Sequence, residues 1–333
     1  NFQNQFGDAL ALSDDGDTIA IGARGNNGNG SDSGHTRIYR WDGVSWNQLG
    51  SDIDGEAAND YAGKTVALSS DGNTVVIGAE GNDGTGNKAG HVRVYRWDGT
   101  SWNQLGIDLD GEQEKDTFGG SVAISSDGNI IAVGSRRAAF GGDWNYSGGC
   151  RVYQWDGAAW NQLGNVIGSN SANRGRATTV ALSDDGLTLA TGDQEAESST
   201  RGRTGIYRWD GAAWNRLGAE IEGEGFTDYS SKAISLSGSG DVVAIGCALN
   251  YGTAVRSGHV RVYGWDGTTW NQRGTDLDGE GSEDNSGVAV SLSGDATTLV
   301  IGAWGNDENG NNAGHARIYR YDGTDWQQSG SDI

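Results

Sequence analysis

The chain has 333 residues, a formal net charge of −22, 58 glycines and no proline. This acidity argues against nucleic acid and anionic membrane surfaces as partners, because phosphate groups are bound by basic residues. No apolar run is long enough to cross a bilayer, so we expect no direct membrane insertion.

One segment recurs six times along the chain. Its Trp-Asp-Gly anchor begins at Trp41, Trp97, Trp155, Trp209 and Trp265, and Tyr321 takes the tryptophan position in the sixth copy. The spacings are 56, 58, 54, 56 and 56 residues, a period typical of propellers and solenoids. We predict a single domain over 1–333, with repeats at approximately 6–60, 61–117, 118–174, 175–228, 229–284 and 285–333. The alternative is that the chain is part of a longer array.

Each copy is predicted to contain four short strands, which are clearest in the second copy at residues 65–69, 74–78, 91–97 and 102–109. Asp71-Gly72 and Asp98-Gly99 mark tight hairpins, and the second hairpin would bring Trp97 opposite Trp102. The second strand is apolar at consecutive positions, as in a strand buried on both faces. The predicted fold is an all-β, six-bladed β-propeller of four-stranded antiparallel blades.

Several residue types recur at fixed repeat positions and are therefore interpreted as structural. The four histidines, His35, His91, His259 and His315, all begin a predicted third strand. Eleven of the thirteen tryptophans occupy the two positions that flank the second hairpin. Metal binding or acid–base chemistry by histidine, and sugar stacking by tryptophan, are the alternatives. Cys150 and Cys247 are expected to be buried free thiols, and no catalytic residue is predicted.

Three runs resemble the FG-GAP repeats of integrin-α-type propellers: FGDALALSDDGDTIAIGA from Phe6, YAGKTVALSSDGNTVVIGA from Tyr61 and FGGSVAISSDGNIIAVGS from Phe118. The resemblance implies a propeller on the cell surface or outside the cell that takes part in adhesion or ligand recognition. Those propellers usually have seven blades and an extended acidic calcium loop in the first hairpin. Here that hairpin is shortened, to Asp14-Asp15-Gly16-Asp17 in the first copy.

Acidic residues cluster in the links between blades. Carboxylates at alternate positions next to a glycine resemble the opening of an oxygen-rich calcium loop, although the EF-hand register is missing. Calcium is therefore one hypothesis for these links, and a solvated acidic rim is the other. The candidate calcium ligands are Asp52, Asp54, Asp108, Asp110, Asp276 and Asp278.

The turn between the second and third strands differs most among copies, particularly in blades three to five. Aromatic and arginine side chains in such loops often anchor recognition, so we predict a ligand-binding sector there; unconstrained drift is the alternative. Its candidate residues are Arg136, Arg137, Phe140, Trp144, Tyr146, Arg174, Arg176, Tyr251 and Arg256. Glycosylation sequons at Asn29 and Asn145 lie in the same class of loop.

The sequence favours a secreted or cell-surface interaction module without enzymatic activity. Its partner would be a protein or glycan at the cell surface or in the extracellular matrix, and self-assembly is an alternative. A lectin-like propeller is the second hypothesis. A polysaccharide hydrolase or lyase that uses a pair of carboxylates is the third.

Overall fold

The computed structural model describes residues 5–136, 148–168, 177–193, 201–225, 228, 230–308 and 310–333. The chain forms two compact units, Asn1–Asn173 and Arg174–Ile333. Strands are joined by turns in both units, and neighbouring strands of each sheet pair antiparallel. Within the described ranges, no helix is long and apolar enough to cross a membrane.

The first unit contains three sheets, which we call blades 1 to 3. In each, four main strands pair in chain order, and a fifth short strand pairs with the start of the third. Blade 1 comprises β1 Ala9–Leu12, β2 Thr18–Ala23, β3 His35–Trp41, β4 Trp46–Gln48 and β5 Ile53–Asp54. Blade 2 comprises β6 Thr65–Leu68, β7 Thr74–Ala79, β8 His91–Trp97, β9 Trp102–Gln104 and β10 Leu109–Asp110. Blade 3 comprises β11 Phe118–Ile124, β12 Ile130–Ser135, β13 Gly149–Trp155, β14 Trp160–Gln162 and β15 Ile167–Gly168.

The second unit contains blades 4 to 6, built in the same way except that blade 6 has four strands. Blade 4 comprises β16 Thr179–Leu182, β17 Thr188–Asp193, β18 Arg203–Trp209, β19 Trp214–Arg216 and β20 Ile221–Glu222. Blade 5 comprises β21 Ser230–Leu236, β22 Val242–Cys247, β23 His259–Trp265, β24 Trp270–Gln272 and β25 Leu277–Asp278. Blade 6 comprises β26 Ala289–Leu292, β27 Thr298–Ala303, β28 His315–Tyr321 and β29 Trp326–Gln328.

The first hairpin of each blade is closed by side chains as well as by the strand ladder. In blade 2, Ser69 Oγ accepts a hydrogen bond from Thr74 N at 2.9 Å and donates one to Asp71 Oδ1 at 2.6 Å. Gly72 has a φ of +67°, a conformation that glycine adopts without a Cβ penalty. The Asp-Gly pair therefore forms the predicted turn.

The second hairpin brings two aromatic rings together, as predicted. Trp97 pairs with Trp102 in the ladder, and their ring centroids lie 5.5 Å apart. The predicted fourth strand over 102–109 is wrong in its length. It is split into β9 and β10, because Gly106 adopts a φ of +83° and turns the chain before it rejoins the start of β8.

The hydrophobic core lies between adjacent blades within each unit. Val75 and Ile77 of β7 pack towards blade 1, against Ala20 and Ile38. The intervening residue Val76 packs towards blade 3. The middle strand is therefore buried on both faces, because alternate side chains of one strand point to opposite sides.

These sheets confirm the predicted fold class, an all-β six-bladed propeller with four main strands in each blade. Cys150 and Cys247 are free and buried, as expected. The organisation of 1–333 as one domain with the stated repeat boundaries stays a prediction.

Candidate functional site

The histidine that begins the third strand lies beside the acidic link of its own blade. In blade 2, β10 pairs with the first residues of β8, and Asp110 is directly opposite His91. His91 Nδ1 is 3.8 Å from Asp108 Oδ2 and 4.0 Å from Asp110 Oδ1. Glu56, from the link that follows blade 1, approaches the same nitrogen to 3.7 Å. Strand pairing thus assembles one imidazole and several carboxylates.

We call these groups the histidine–carboxylate clusters. In blade 1, His35 Nδ1 lies 3.5 Å from Asp52 Oδ2 and 3.9 Å from Asp54 Oδ1. In blade 5, His259 Nδ1 lies 3.6 Å from Asp276 Oδ2 and 3.9 Å from Asp278 Oδ1. All six candidate calcium ligands named from the sequence therefore lie in clusters of this kind. Calcium binding by them stays a prediction.

In blade 6, the cluster has four residues. Ligand atoms of Glu280, Glu308, His315 and Asp332 all lie within 4.8 Å of one another. Backbone hydrogen bonds of 3.0 Å in both directions between Ala316 and Ile333 hold the segment of Asp332 against β28. The sequence analysis missed Glu280, Glu308 and Asp332. A constant separation of 17 residues between each histidine and the first acid of its link is the signal that could have revealed the grouping.

The clusters combine buried imidazoles with partly exposed acids. Burial lowers the pKa of His91 to about 4, with a further contribution from the charge of Arg93, against the opposite effect of Asp108. Burial likewise lowers the pKa of His35 and of His259. Near neutral pH these three rings are therefore uncharged, and each has a lone pair available for a ligand.

In blades 2, 5 and 6, the arginine two residues after the histidine ties the blade to the preceding link. Arg93 Nη2 donates to Asp54 O at 2.6 Å, Arg261 Nη2 to Glu222 O at 2.8 Å and Arg317 Nη2 to Asp278 O at 2.7 Å. In blade 1, Arg37 instead pairs with Asp52 of its own link, at 2.8 Å. This pairing lowers the pKa of the Asp52 carboxyl group.

Blades 3 and 4 depart from this pattern in a coordinated way. Blade 3 has Gly149 at the histidine position and Val166 and Gly168 at the two acid positions, so all three groups are lost together. Blade 4 has Arg203 in place of histidine, and this arginine lies 3.5 Å from Glu220 and from Glu222. Paired acids therefore persist in blade 4 beside a permanent cation.

The first hairpins do not fit the calcium loop of the FG-GAP resemblance. Asp71 Oδ1 accepts hydrogen bonds from Ser69 Oγ and Asn73 N, and Asp71 Oδ2 accepts one from Asn73 Nδ2. Asp15 Oδ1 is bonded in the same manner to Ser13 Oγ and Asp17 N. These carboxylates close the turn, and their neighbours present hydrogen-bond donors where calcium requires oxygen ligands.

The structure describes only some of the predicted ligand-binding and glycosylation residues. Arg136 is exposed immediately after β12, and Tyr251 and Arg256 lie in the turn between β22 and β23. Asn29 is exposed, and its Nδ2 donates to Gly55 O at 2.8 Å. The remaining predicted residues lie outside the described residues: Arg137, Phe140, Trp144, Tyr146, Arg174, Arg176 and Asn145.

Large apolar side chains are exposed on the corresponding turns of blades 5 and 6. Tyr251 is 55% exposed, Val255 49% and Trp304 57%. The turns are side by side, because Glu283 N donates to Val255 O at 2.8 Å and Glu283 O lies 2.1 Å from where a Cβ on Gly305 would be. Sequence analysis identified Tyr251 as a candidate ligand-binding residue but did not include Val255.

Comparison with known proteins relates this architecture to one repeat family. Residues 272–319 match the FG-GAP repeat, which confirms the resemblance noted in the sequence. The protein is thus an all-β propeller that carries an FG-GAP repeat. None of the curated proteins compared matches this sequence.

Several solved structures share the fold. A Bacteroides uniformis protein described as a 6-phosphogluconolactonase is 12% identical, with a TM-score of 0.65, over 98% of this chain and 85% of that one. The periplasmic gluconolactonase of Pseudomonas aeruginosa is 16% identical, with a TM-score of 0.60, over 90% and 78%. Kuenenia stuttgartiensis hydrazine synthase is 11% identical, with a TM-score of 0.58, over 97% and 83%. At these identities the similarity concerns the fold, since propellers host unrelated functions.

Proposed function

We propose that this protein is a non-enzymatic interaction module that works outside the cell or at its surface. It would bind a second protein molecule, including another copy of itself, through the turns of blades 5 and 6. The observation that carries the proposal is the exposure of Tyr251, Val255 and Trp304 on adjacent turns. Exposed apolar side chains grouped in this way are typical of recognition surfaces.

The other blades provide an internal comparison for these three positions. Position 304 corresponds to Arg24 in blade 1 and Glu80 in blade 2, and position 251 corresponds to Asn27 and Asp83. The repeat architecture therefore forms the same turn with polar residues. The aromatic side chains of blades 5 and 6 are not needed to build the turn, which supports a role in binding.

Backbone hydrogen bonds hold both turns in place. Gly258 N donates to Asn250 O at 3.1 Å, and Gly314 N donates to Asn306 O at 3.0 Å. Asn285 N, from the link between the two blades, donates to Arg256 O at 3.1 Å. A surface ordered before binding loses less conformational entropy in the complex, which favours affinity.

The test combines Tyr251→Asp and Trp304→Glu, the residues that blade 2 has at these positions. Sedimentation velocity over a range of protein concentrations measures self-association. We expect the wild-type chain to associate and the double variant to remain monomeric, with unchanged thermal unfolding. Ile107→Glu is the control, because it places an acid at an exposed apolar site in blade 2.

Carbohydrate binding is the second candidate, since exposed tyrosine and tryptophan rings also stack on sugars. A glycan array probed with the same three proteins separates the two functions. Glycan binding that the double variant loses, without self-association, would assign a lectin-like function. Absence of both activities, or activity that the double variant keeps, would overturn the assignment of this surface.

A further inference from the structure

We propose that Glu280, Glu308, His315 and Asp332 bind one divalent transition-metal ion with the ligand preferences of zinc. The four residues come from four segments of blade 6 and its preceding link. Each offers one nitrogen or oxygen atom, and these four atoms lie within 4.8 Å of one another. This site is separate from the calcium positions considered in the sequence analysis.

The separations suit a small ion after minor side-chain adjustment. His315 Nδ1 lies 3.1 Å from Asp332 Oδ2 and 4.0 Å from Glu280 Oε2. An ion bound at about 2.0–2.2 Å to nitrogen and oxygen ligands holds them roughly 3.4 Å apart in a tetrahedron. These two separations lie on either side of that value.

The imidazole of His315 lacks the partners that a buried ring normally has. Its side chain is 2% exposed, and neither ring nitrogen makes a hydrogen bond. Asp332 approaches Nδ1 without the alignment of a hydrogen bond. Because unsatisfied buried polar groups are costly, an ion at Nδ1 would supply the missing interaction.

Glu308 differs from the residue at the same repeat position in other blades, and its position faces the cluster. Blades 1, 2 and 5 have Gly28, Gly84 and Gly252 at this position. A Cβ on these glycines would lie 3.4, 3.6 and 2.6 Å from a carboxylate oxygen of Asp54, Asp110 and Asp278, respectively. A side chain there is therefore directed into the cluster, and among blades 1, 2, 5 and 6 it is blade 6 that has a potential ligand at this position.

Blade 4 has a fixed positive charge at the histidine position. Arg203 replaces the histidine and lies 3.5 Å from both Glu220 and Glu222, so a fixed positive charge lies between the two acids. Blade 3, which lacks the link acids, has Gly149 at the histidine position. In blade 6, Arg317 Nη1 lies 3.5 Å from Glu280 Oε1, and a metal ion at His315 would add positive charge beside Glu308 and Asp332.

The ligand set selects the class of metal. Calcium and magnesium prefer oxygen ligands, and calcium takes about six to eight of them. A set of one imidazole and three carboxylates suits zinc or a neighbouring transition metal better. The ion would join β28, the turn after β27, the link after blade 5 and the segment of Asp332, next to the exposed Trp304.

The test is isothermal titration of the chelator-treated protein with Zn²⁺, followed by Ca²⁺ and Mg²⁺ in separate runs. The wild-type protein should have one tightest Zn²⁺ site, and that site should bind Zn²⁺ more tightly than Ca²⁺ or Mg²⁺. Glu308→Gly installs the residue of the other blades at an exposed position, so it should not impair folding. It should lower the affinity of the tightest Zn²⁺ site by more than about tenfold, because loss of even an outer-shell partner of a metal ligand has an effect of that size.

Two further measurements make the outcome decisive. Glu283→Gln removes a nearby exposed charge outside the cluster and should leave Zn²⁺ affinity unchanged. Imidazole ¹⁵N NMR should show a Zn²⁺-induced shift at Nδ1 of one histidine, and the His315→Gln spectrum should lack that signal. No Zn²⁺ binding, or equal affinity in wild type and Glu308→Gly, would overturn the proposal.

Discussion

Trp102 Nε1 donates a hydrogen bond to Leu49 O at 2.8 Å and so joins the second hairpin of blade 2 to the outer edge of blade 1. The same bond recurs from Trp160 to Leu105, from Trp270 to Leu217 and from Trp326 to Arg273. Recurrence at one repeat position identifies it as a standard connection between adjacent blades in each unit.

Replacing Trp102 with phenylalanine should keep a ring at the hairpin and remove this bond. We expect a loss of about 1 kcal/mol in the free energy of unfolding, plus a contribution from the smaller ring. Trp97→Phe is the matched control, because Trp97 is the other ring of the pair and the bond to Leu49 belongs to Trp102. Urea unfolding of both variants should show the larger loss for Trp102→Phe; equal losses would assign the effect to ring size alone.

The glycine of the second strand allows close approach of the next blade. A Cβ on Gly246 would lie 2.0 Å from Gly287 O, whereas one on Gly302 would have Ala289 Cβ, at 3.5 Å, as its nearest neighbour. Gly246→Ala should therefore cost about 3 kcal/mol or more, since backbone must move, while Gly302→Ala should be tolerated. Thermal unfolding of the two variants checks this difference, and similar midpoints would contradict the packing argument.

Much of the fold could be predicted because every repeat contains the same short sequence motifs. The anchors beginning at Trp41 and Trp97 gave the period, and Asp-Gly pairs gave the turns. The split of the fourth strand was missed because β9 and β10 both pair with β8, β9 at its end and β10 at its start. That pairing depends on the turn at Gly106 and not on the polarity of the strand.

The candidate site was predicted only in part for a related reason. The link acids were recognised, but His91 was interpreted as a structural residue because its position recurs. Its contact with Asp108 follows from the pairing of β10, which a search for local motifs does not include. Glu308 was missed because it differs from the repeat in a single blade.

The two thiols should be inert in the folded protein. Burial raises the pKa of Cys150 to about 12 and that of Cys247 to about 11, so neither forms appreciable thiolate at mildly alkaline pH. Ellman's reagent should therefore modify neither thiol in the native state at about pH 8, and both after denaturation in guanidinium. Rapid reaction of one equivalent in native buffer would show that a cysteine is accessible.

Acid should destabilise the protein through its buried histidines. His91 has a pKa of about 4 when folded and about 6.5 when unfolded. Between these two pH values the unfolded chain binds more protons than the folded protein. The stabilisation that depends on an uncharged His91 is therefore fully present above about pH 6.5 and is lost as the pH falls towards 4. His91→Gln removes this titration. Between pH 7 and 5.5 the wild type should lose about 1 kcal/mol more than the variant. Urea unfolding at both pH values measures the difference, and parallel losses in the two proteins would show that folding does not lower the pKa of His91.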